Sequence, residues 1–239
     1  MIGELTTGAL FFGMRSCEYL NIEGERKTKL LRIKNPRFYK QRKEINKIQH
    51  ATELFRATAI NITFESQKND QKDESVTMHT NNRGLCPVTA WATITNRIIQ
   101  SPGASVHSPV NMMLIKEQIT SVHSKDVLRH IRATVDVIGR DVLGFGPEEC
   151  GVHSIRSSFA MYLYTQFVRT DKIMLQGRWR SDAFLIYIRR QVTKFSKGLS
   201  SLMINCSNEY FTVPELQREC IRSSNKSRRS RYQTSILFC

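Results

Sequence analysis

Apolar residues recur at helical spacing in three stretches of the chain. In residues 8–22 they lie three and four positions apart, and residues 88–99 follow Pro87, which suits the first turn of a helix. Residues 125–143 have the clearest amphipathic pattern. One face of that predicted helix carries Val127, Ile131, Val135 and Ile138.

Shorter stretches have the composition of strands. Residues 30–33 and 59–65 are rich in apolar and β-branched side chains, and residues 75–79 are a partner for 59–65 across the polar sequence QKNDQKDE. Beyond residue 143 the pattern is helical to about residue 203, with glycines as breaks. The pattern therefore predicts a mainly α fold with a small antiparallel β-sheet, of the α+β class.

The composition is that of a folded, basic protein. Its 239 residues are 40% hydrophobic and carry 36 Lys and Arg against 21 Asp and Glu, a net charge of +15. The apolar runs are far shorter than the ~18 residues of a membrane-spanning helix, and the N-terminus lacks the early Lys or Arg of a signal peptide. Six cysteines without a CxxC pair indicate reduced thiols in an intracellular protein, not a disulfide framework or a zinc site.

Over half of the charge excess lies in one segment. Residues 25–47 contain ten Lys and Arg against two Glu, with Phe38 and Tyr39 among them. Cations interleaved with aromatic residues suit a nucleic acid, because phosphate contacts release counterions and bases stack on rings. A solvated loop or a localisation signal is the alternative. The predicted DNA contacts are Arg26, Lys27, Lys29, Arg32, Lys34, Arg37 and Lys40.

A second basic cluster lies near the end of the chain. Residues 222–231 read RSSNKSRRSR and have no apolar periodicity. We therefore expect a domain over residues 1–215, followed by a basic, disordered tail over residues 216–239.

Two polar residues begin the predicted helix in GVHSIRSSFAMYLY. His153 and Arg156 lie three residues apart and share one helix face. The free N–H groups and the dipole of a helix N-terminus favour a phosphate at that position. Taken alone, the pair is a weak signal and fits a surface histidine beside a solvated arginine better. The buried face of the helix is predicted from Ile155, Phe159, Tyr162 and Leu163.

The sequence GRWRSDAFLIYIRRQ predicts another helix, which Ser181 can cap with Asp182 in the first turn. Tyr187 lies beside the apolar stripe of this helix, so its hydroxyl can reach a cleft. The alternatives are an ordinary core role for Tyr187 and for Trp179. The stripe itself consists of Phe184, Ile188, Val192 and Phe195.

These two sequences together resemble the C-terminal boxes of the tyrosine recombinase (phage integrase-like) family. The residues that carry the resemblance are HSIRSSFAM and IMLQGRWRSDAFLIYIRRQV, and their wording is most similar to the versions found in eukaryotic mobile elements. The resemblance places the family's His-x-x-Arg on His153 and Arg156. It places the His-or-Trp position on Trp179 and the nucleophile on Tyr187.

The remaining family positions precede these boxes. The first arginine of the family lies on a helix in a Gly-x-Arg-x-x-Glu context, which FFGMRSCEYL supplies as Arg15 with Glu18. The family lysine lies in a β-hairpin turn, where FESQKNDQ offers Lys68, with Lys72 as a nearby competitor. The resemblance spans roughly residues 8–203.

The resemblance implies cleavage and rejoining of double-stranded DNA through a 3′-phosphotyrosyl link to Tyr187. Arg15 and Arg156 would bind the non-bridging phosphate oxygens with guanidinium groups that stay charged. Lys68 would protonate the departing 5′-oxygen as a general acid. Glu18 would orient its neighbours, and the remaining two residues, His153 and Trp179, would position the phosphate or donate to it.

The resemblance implies no metal and no cofactor. Its implied partners are double-stranded DNA and further protomers assembled on DNA, with no membrane. An intracellular location follows, and a nuclear one if the source is eukaryotic.

The chain also departs from the family pattern. Only 14 residues precede Arg15, whereas relatives generally have an extra helix there and a separate DNA-clamping domain. We therefore expect an N-terminally truncated catalytic domain that acts in DNA recombination or integration. The alternatives are a catalytically silent, domesticated DNA-binding module and a topoisomerase-like DNA relaxase.

Overall fold

Short helices and antiparallel strands make up the part of the chain that the computed structural model describes, residues 1–26, 28–66, 73–81, 83–181 and 184–186. These ranges confirm an α+β architecture with a small antiparallel sheet. In chain order the elements are α1 (Ile2–Phe11), α2 (Ser16–Tyr19), β1 (Pro36–Lys40), β2 (Lys43–Ile45), a 3₁₀ helix (Ala51–Arg56), β3 (Ala59–Phe64), β4 (Glu74–His79), α3 (Pro87–Ile99), β5 (Met112–Ile115), β6 (Gln118–Ser121), α4 (Ser124–Ile138), α5 (Arg140–Leu143), a second 3₁₀ helix (Pro147–Glu149), α6 (Ser154–Thr165) and α7 (Thr170–Gly177).

The main sheet has the strand order β2-β1-β3-β4 and is antiparallel throughout. The register of β3 and β4 runs from Ala59 opposite His79 to Phe64 opposite Glu74, which confirms the predicted hairpin. Strands β1 and β2 were not predicted, because the charged residues on their outer face obscure the alternation. Phe38 of β1 is fully buried in the core, whereas its neighbour Arg37 is exposed.

The core lies between the sheet and helix α3, whose start at Pro87 agrees with the prediction. Helix α1 packs on α3, and the rings of Phe12 and Trp91 meet edge to face with their centroids 6.4 Å apart. Helix α6 also packs on α1 and contacts α7. The loop after α1 therefore lies beside α6, where the candidate site is found.

The predicted helix over residues 8–22 is instead two helices. Helix α1 ends at Phe11, and Gly13 adopts a φ of +52° that turns the chain. Helix α2 then starts after Arg15, where the backbone N–H of Arg15 donates to the Glu18 carboxylate. The apolar spacing ran through this turn because both helices bury one side against the same core.

Two other predicted elements also differ. Residues 30–33 are extended, and Leu31 and Ile33 are buried, but they pair with the irregular segment 106–110 and not with a strand. The helix predicted over residues 125–143 is divided by Gly139 into α4 and α5, since glycine has a low helix propensity. Tyr162, expected in the core, is exposed on α6. Within the described ranges, no helix has the length and apolarity that a bilayer span requires.

The polar end of β3 generates a prediction about acid stability. Glu65 accepts hydrogen bonds from Lys34 Nζ at 2.7 Å and from Asn35 Nδ2 at 3.0 Å, and Lys29 Nζ lies 3.6 Å away. These donors lower the pKa of Glu65 from 4.5 to about 2. Because the pKa is lower in the folded state, the ionised carboxylate of Glu65 stabilises the fold. This stabilisation is complete above pH 4.5 and is lost as the pH falls to about 2.

As the pH falls from 4.5 to about 2, we expect the free energy of unfolding to decrease less in Glu65→Gln than in the wild type. Urea unfolding at several pH values measures this free energy. Parallel curves for the variant and the wild type would contradict the prediction.

Candidate active site

Three segments far apart in the sequence bring five of the predicted residues together. Arg15 and Glu18 lie at the start of α2, after the loop that follows α1. His153 and Arg156 lie at the start of α6, and Trp179 lies just beyond the end of α7. The contacts described below link four of them through side chains and the loop after α1, and the charges of the two arginines act on the fifth, His153.

Glu18 is the centre of this cluster. Its side chain is only 1% exposed. One carboxylate oxygen accepts hydrogen bonds from the backbone N–H of Arg15 at 2.9 Å and from Arg178 Nη2 at 2.8 Å, and the other accepts from Arg15 Nη1 at 3.1 Å. One buried carboxylate therefore fixes Arg15 and binds a second arginine at the same time.

Arg178 is a functional candidate that sequence reasoning missed. Its guanidinium is buried, donates from Nη1 to the carbonyl oxygen of Phe12 at 3.0 Å, and stacks on the ring of Phe64 at 3.5 Å from its centroid. Its backbone has a φ of +57°, in the left-handed region. The sequence contained a hint of this pair. Glu18 is an acidic residue three positions after Arg15, and GRWR places two further arginines beside Trp179.

Arg156 ties the loop after α1 to the end of α7. Its side chain is buried, and its two terminal nitrogens donate to the carbonyl oxygens of Gly13 and of Gly177, the latter at 2.6 Å. Its guanidinium carbon lies 4.1 Å from the ring centroid of Trp179, a cation–π arrangement. Arg156 thus joins the two segments by hydrogen bonds to one backbone carbonyl in each.

Trp179 packs closely in this cluster. Its ring stacks on Phe159 with centroids 6.1 Å apart and lies 5.5 Å from Phe184. A Cβ atom at Gly177 would lie 1.7 Å from an atom of the indole ring, so glycine is required there. The burial of Phe184 agrees with its predicted place in an apolar stripe. Trp179 thus contributes to the core as well as to the cluster.

His153 occupies the N-cap position of α6 without a side-chain capping hydrogen bond, and its side chain remains accessible to solvent. Partial burial and the positive charges of Arg156 and then Arg15 lower the pKa of its imidazole. The imidazole is therefore neutral at neutral pH, so it can both donate and accept a hydrogen bond. In the described ranges, His, Cys, Asp and Glu side chains do not form a group of three that could hold a metal ion.

Several predicted site residues lie outside the described residues. These are the nucleophile Tyr187, the candidate general acids Lys68 and Lys72, and the predicted DNA contact Lys27. The boundary between the expected domain and its tail at residues 215 and 216 also lies there, as do Asp182, Ile188, Val192 and Phe195.

The remaining predicted DNA contacts divide into two groups. The guanidinium of Arg26 donates to the carbonyl oxygens of Cys17 and of Leu20, so it closes the loop after α2. The other group is exposed and includes three residues that line a cavity of about 680 Å³ beside β1 and β3. The cavity residues are Lys29, Lys34 and Arg37, and the others in this group are Arg32 and Lys40.

Comparisons of this chain with models of protein families, with curated proteins and with solved structures yield no match.

The electrostatics of His153 generate a prediction. We expect Arg15→Gln to raise the pKa of His153, because the variant removes one of the positive charges that oppose protonation. An NMR titration of the histidine ring protons measures the change. Arg56→Gln, which removes an exposed charge at the end of the first 3₁₀ helix, is the matched control. An equal shift in both variants, or no shift in Arg15→Gln, would contradict the prediction.

Proposed function

We propose that this chain is a tyrosine recombinase catalytic domain that cleaves and rejoins double-stranded DNA through Tyr187. The observation that carries the proposal is the cluster of Arg15, Arg156 and Trp179 with His153 at its edge. Residues 15 and 156 are 141 positions apart in the sequence, yet Arg156 binds the carbonyl of Gly13, two residues before Arg15. This convergence supports a common role for the motif residues.

The charge of the cluster supports a polyanionic substrate. Arg15, Arg156 and Arg178 carry three positive charges, and Glu18 carries one negative charge. Glu74 of β4 adds a further negative charge that acts on Arg178. The described side chains of the cluster therefore keep a net positive charge, which favours a phosphate.

The proposed reaction is a transesterification. The Tyr187 hydroxyl attacks the scissile phosphorus and releases its proton to water, the bond from phosphorus to the 5′-oxygen breaks, and a 3′-phosphotyrosyl link forms. Arg15 and Arg156 stabilise the charge on the non-bridging oxygens, and the departing 5′-oxygen takes a proton from Lys68. Attack by a 5′-hydroxyl reverses these steps and rejoins DNA. Mobile-element integration, in the nucleus of a eukaryotic source, is the proposed context.

A nicked suicide substrate tests the proposal. Loss of the 5′ fragment prevents rejoining, so we expect the protein, at high concentration, to accumulate covalently on the 3′-phosphate. Tyr187→Phe removes only one hydroxyl and should abolish the adduct while DNA binding persists. Gel electrophoresis under denaturing conditions detects the adduct. An adduct that persists in Tyr187→Phe would require another nucleophile, and Tyr162 and Tyr164 would be tested next.

Arg156→Lys provides a second measurement on the same substrate. Lysine keeps the charge but loses the planar fork that donates in two directions. We expect the rate of adduct formation to fall by about 10²-fold or more, the scale seen when one transition-state donor is lost. A variant that folds, binds DNA and cleaves at the wild-type rate would contradict a role for Arg156 in catalysis.

A catalytically silent DNA-binding module is the second candidate. The observation in its favour is that Arg156 is buried and donates to two backbone carbonyls, a contribution to the fold that a silent descendant would retain. Intact DNA binding without any adduct in the wild type would favour this candidate.

Salt dependence tests the proposed DNA surface. Because each phosphate contact releases counterions, log Kd should rise linearly with log salt concentration between ~50 and ~200 mM. We expect Arg37→Gln, which removes an exposed charge beside β3, to reduce the slope by about one. Arg26→Gln is the matched comparison in the same segment, and it should lower thermal stability with less effect on the slope, because its guanidinium binds carbonyls. Equal slopes for Arg37→Gln and the wild type would remove Arg37 from the DNA surface.

A further inference from the structure

We infer that Arg178 is a positioning residue that neutralises Glu18, so that Glu18 can hold Arg15 in place without cancelling its positive charge. This inference rests on the proposed function, because it concerns how Arg15 binds a phosphate. It adds a residue that the motif positions do not include.

Arg15 and Arg178 share the carboxylate of Glu18. Arg15 has two bonds to Glu18, one from its backbone N–H and one from its guanidinium. Arg178 donates to the same oxygen that binds the backbone N–H of Arg15. Glu18 is thus an anchor for the start of α2 and a counter-ion for two guanidinium groups.

The net charge of Arg15, Glu18 and Arg178 decides what a phosphate meets at Arg15. In a nearly dry environment, a carboxylate paired with Arg15 alone would offset most of the charge of that guanidinium. A phosphate would then meet an ion pair instead of a cation. Arg178 contributes one more positive charge at 2.8 Å from Glu18, so the three groups together remain positive by one charge.

Burial and three contacts hold Arg178 in this position. Both side chains of the Arg178–Glu18 pair are 1% exposed. Arg178 also binds the carbonyl of Phe12 and stacks on Phe64, so it is held by the loop after α1 and by β3. A guanidinium held on three sides and buried acts through its neighbour and not by direct contact with DNA.

Charge-balanced variants separate this role from a purely structural one. Arg178→Met leaves Glu18 with Arg15 alone, whereas Glu18→Gln leaves Arg178 without its carboxylate. Each single change removes a partner from a buried charge and should lower stability. The double variant Glu18→Gln with Arg178→Met removes both charges and should recover stability, so it guards against a single variant that fails to fold.

The rate of adduct formation in these variants should follow the net charge around Arg15 and not the stability of each variant. On the suicide substrate, below the unfolding temperature of each variant, we expect Arg178→Met to slow adduct formation by about 10²-fold. Glu18→Gln should slow it much less, because glutamine can still accept from Arg15. The double variant and Arg178→Lys should recover most of the lost rate. Equal losses in both single variants, in proportion to lost stability, would overturn the inference.

The titration of His153 by NMR gives a readout that does not depend on cleavage. Arg178→Met should raise the pKa of His153, because Glu18 then offsets the charge of Arg15 more fully. Glu18→Gln should lower this pKa, and the double variant should leave it close to the wild-type value. Shifts of the same sign in both single variants would overturn the inference.

The outcomes for the two proposals are distinct. If the wild type forms no Tyr187-dependent adduct, the proposed function fails, and the His153 titration still decides whether Arg178 controls the charge at Arg15. If the wild type forms the adduct and Arg178→Met forms it equally fast, the proposed function stands and the inference on Arg178 fails.

Discussion

The buried carboxylate of Glu18 is the interaction on which the candidate site depends. A charge in the interior is costly unless it is paired and hydrogen-bonded, and Glu18 meets this condition with two arginines and one backbone N–H. Because Arg178 comes from the other end of the described chain, this single pair joins the loop after α1 to the end of α7. Removing Arg178 would take away one of the two guanidinium partners of Glu18, and removing Glu18 would take the carboxylate from the buried Arg178.

Arg156 reinforces the same junction from the α6 side. It binds one carbonyl on each segment and stacks on Trp179, whose ring occupies the space that a side chain at residue 177 would need. The arrangement explains why the sequence combines glycine, arginine and tryptophan in GRW: the glycine admits the ring, Arg178 binds Glu18, and the ring covers Arg156. Stability and the proposed phosphate chemistry thus depend on the same side chains.

The basic segment 25–47 has a different character. It is not one continuous loop, because it forms strands β1 and β2 of the sheet and contributes Phe38 to the core. Five of its predicted DNA contacts are exposed, where charge costs little, and three of these line the cavity beside β1 and β3. Their proposed role is to bind the DNA backbone, while the proposed chemistry is confined to the buried cluster.

The sequence alone determined the α+β class, the β3–β4 hairpin and the start of α3, because these depend on local periodicity and on residue type. The tertiary structure decided that Arg15 caps a short helix, that Arg178 shares Glu18 with it, and that Arg156 is buried against two carbonyls. It also revealed strands β1 and β2, whose charged outer faces obscured their alternation. These features depend on contacts between residues up to 166 positions apart, and no local pattern specifies which buried carboxylate an arginine meets.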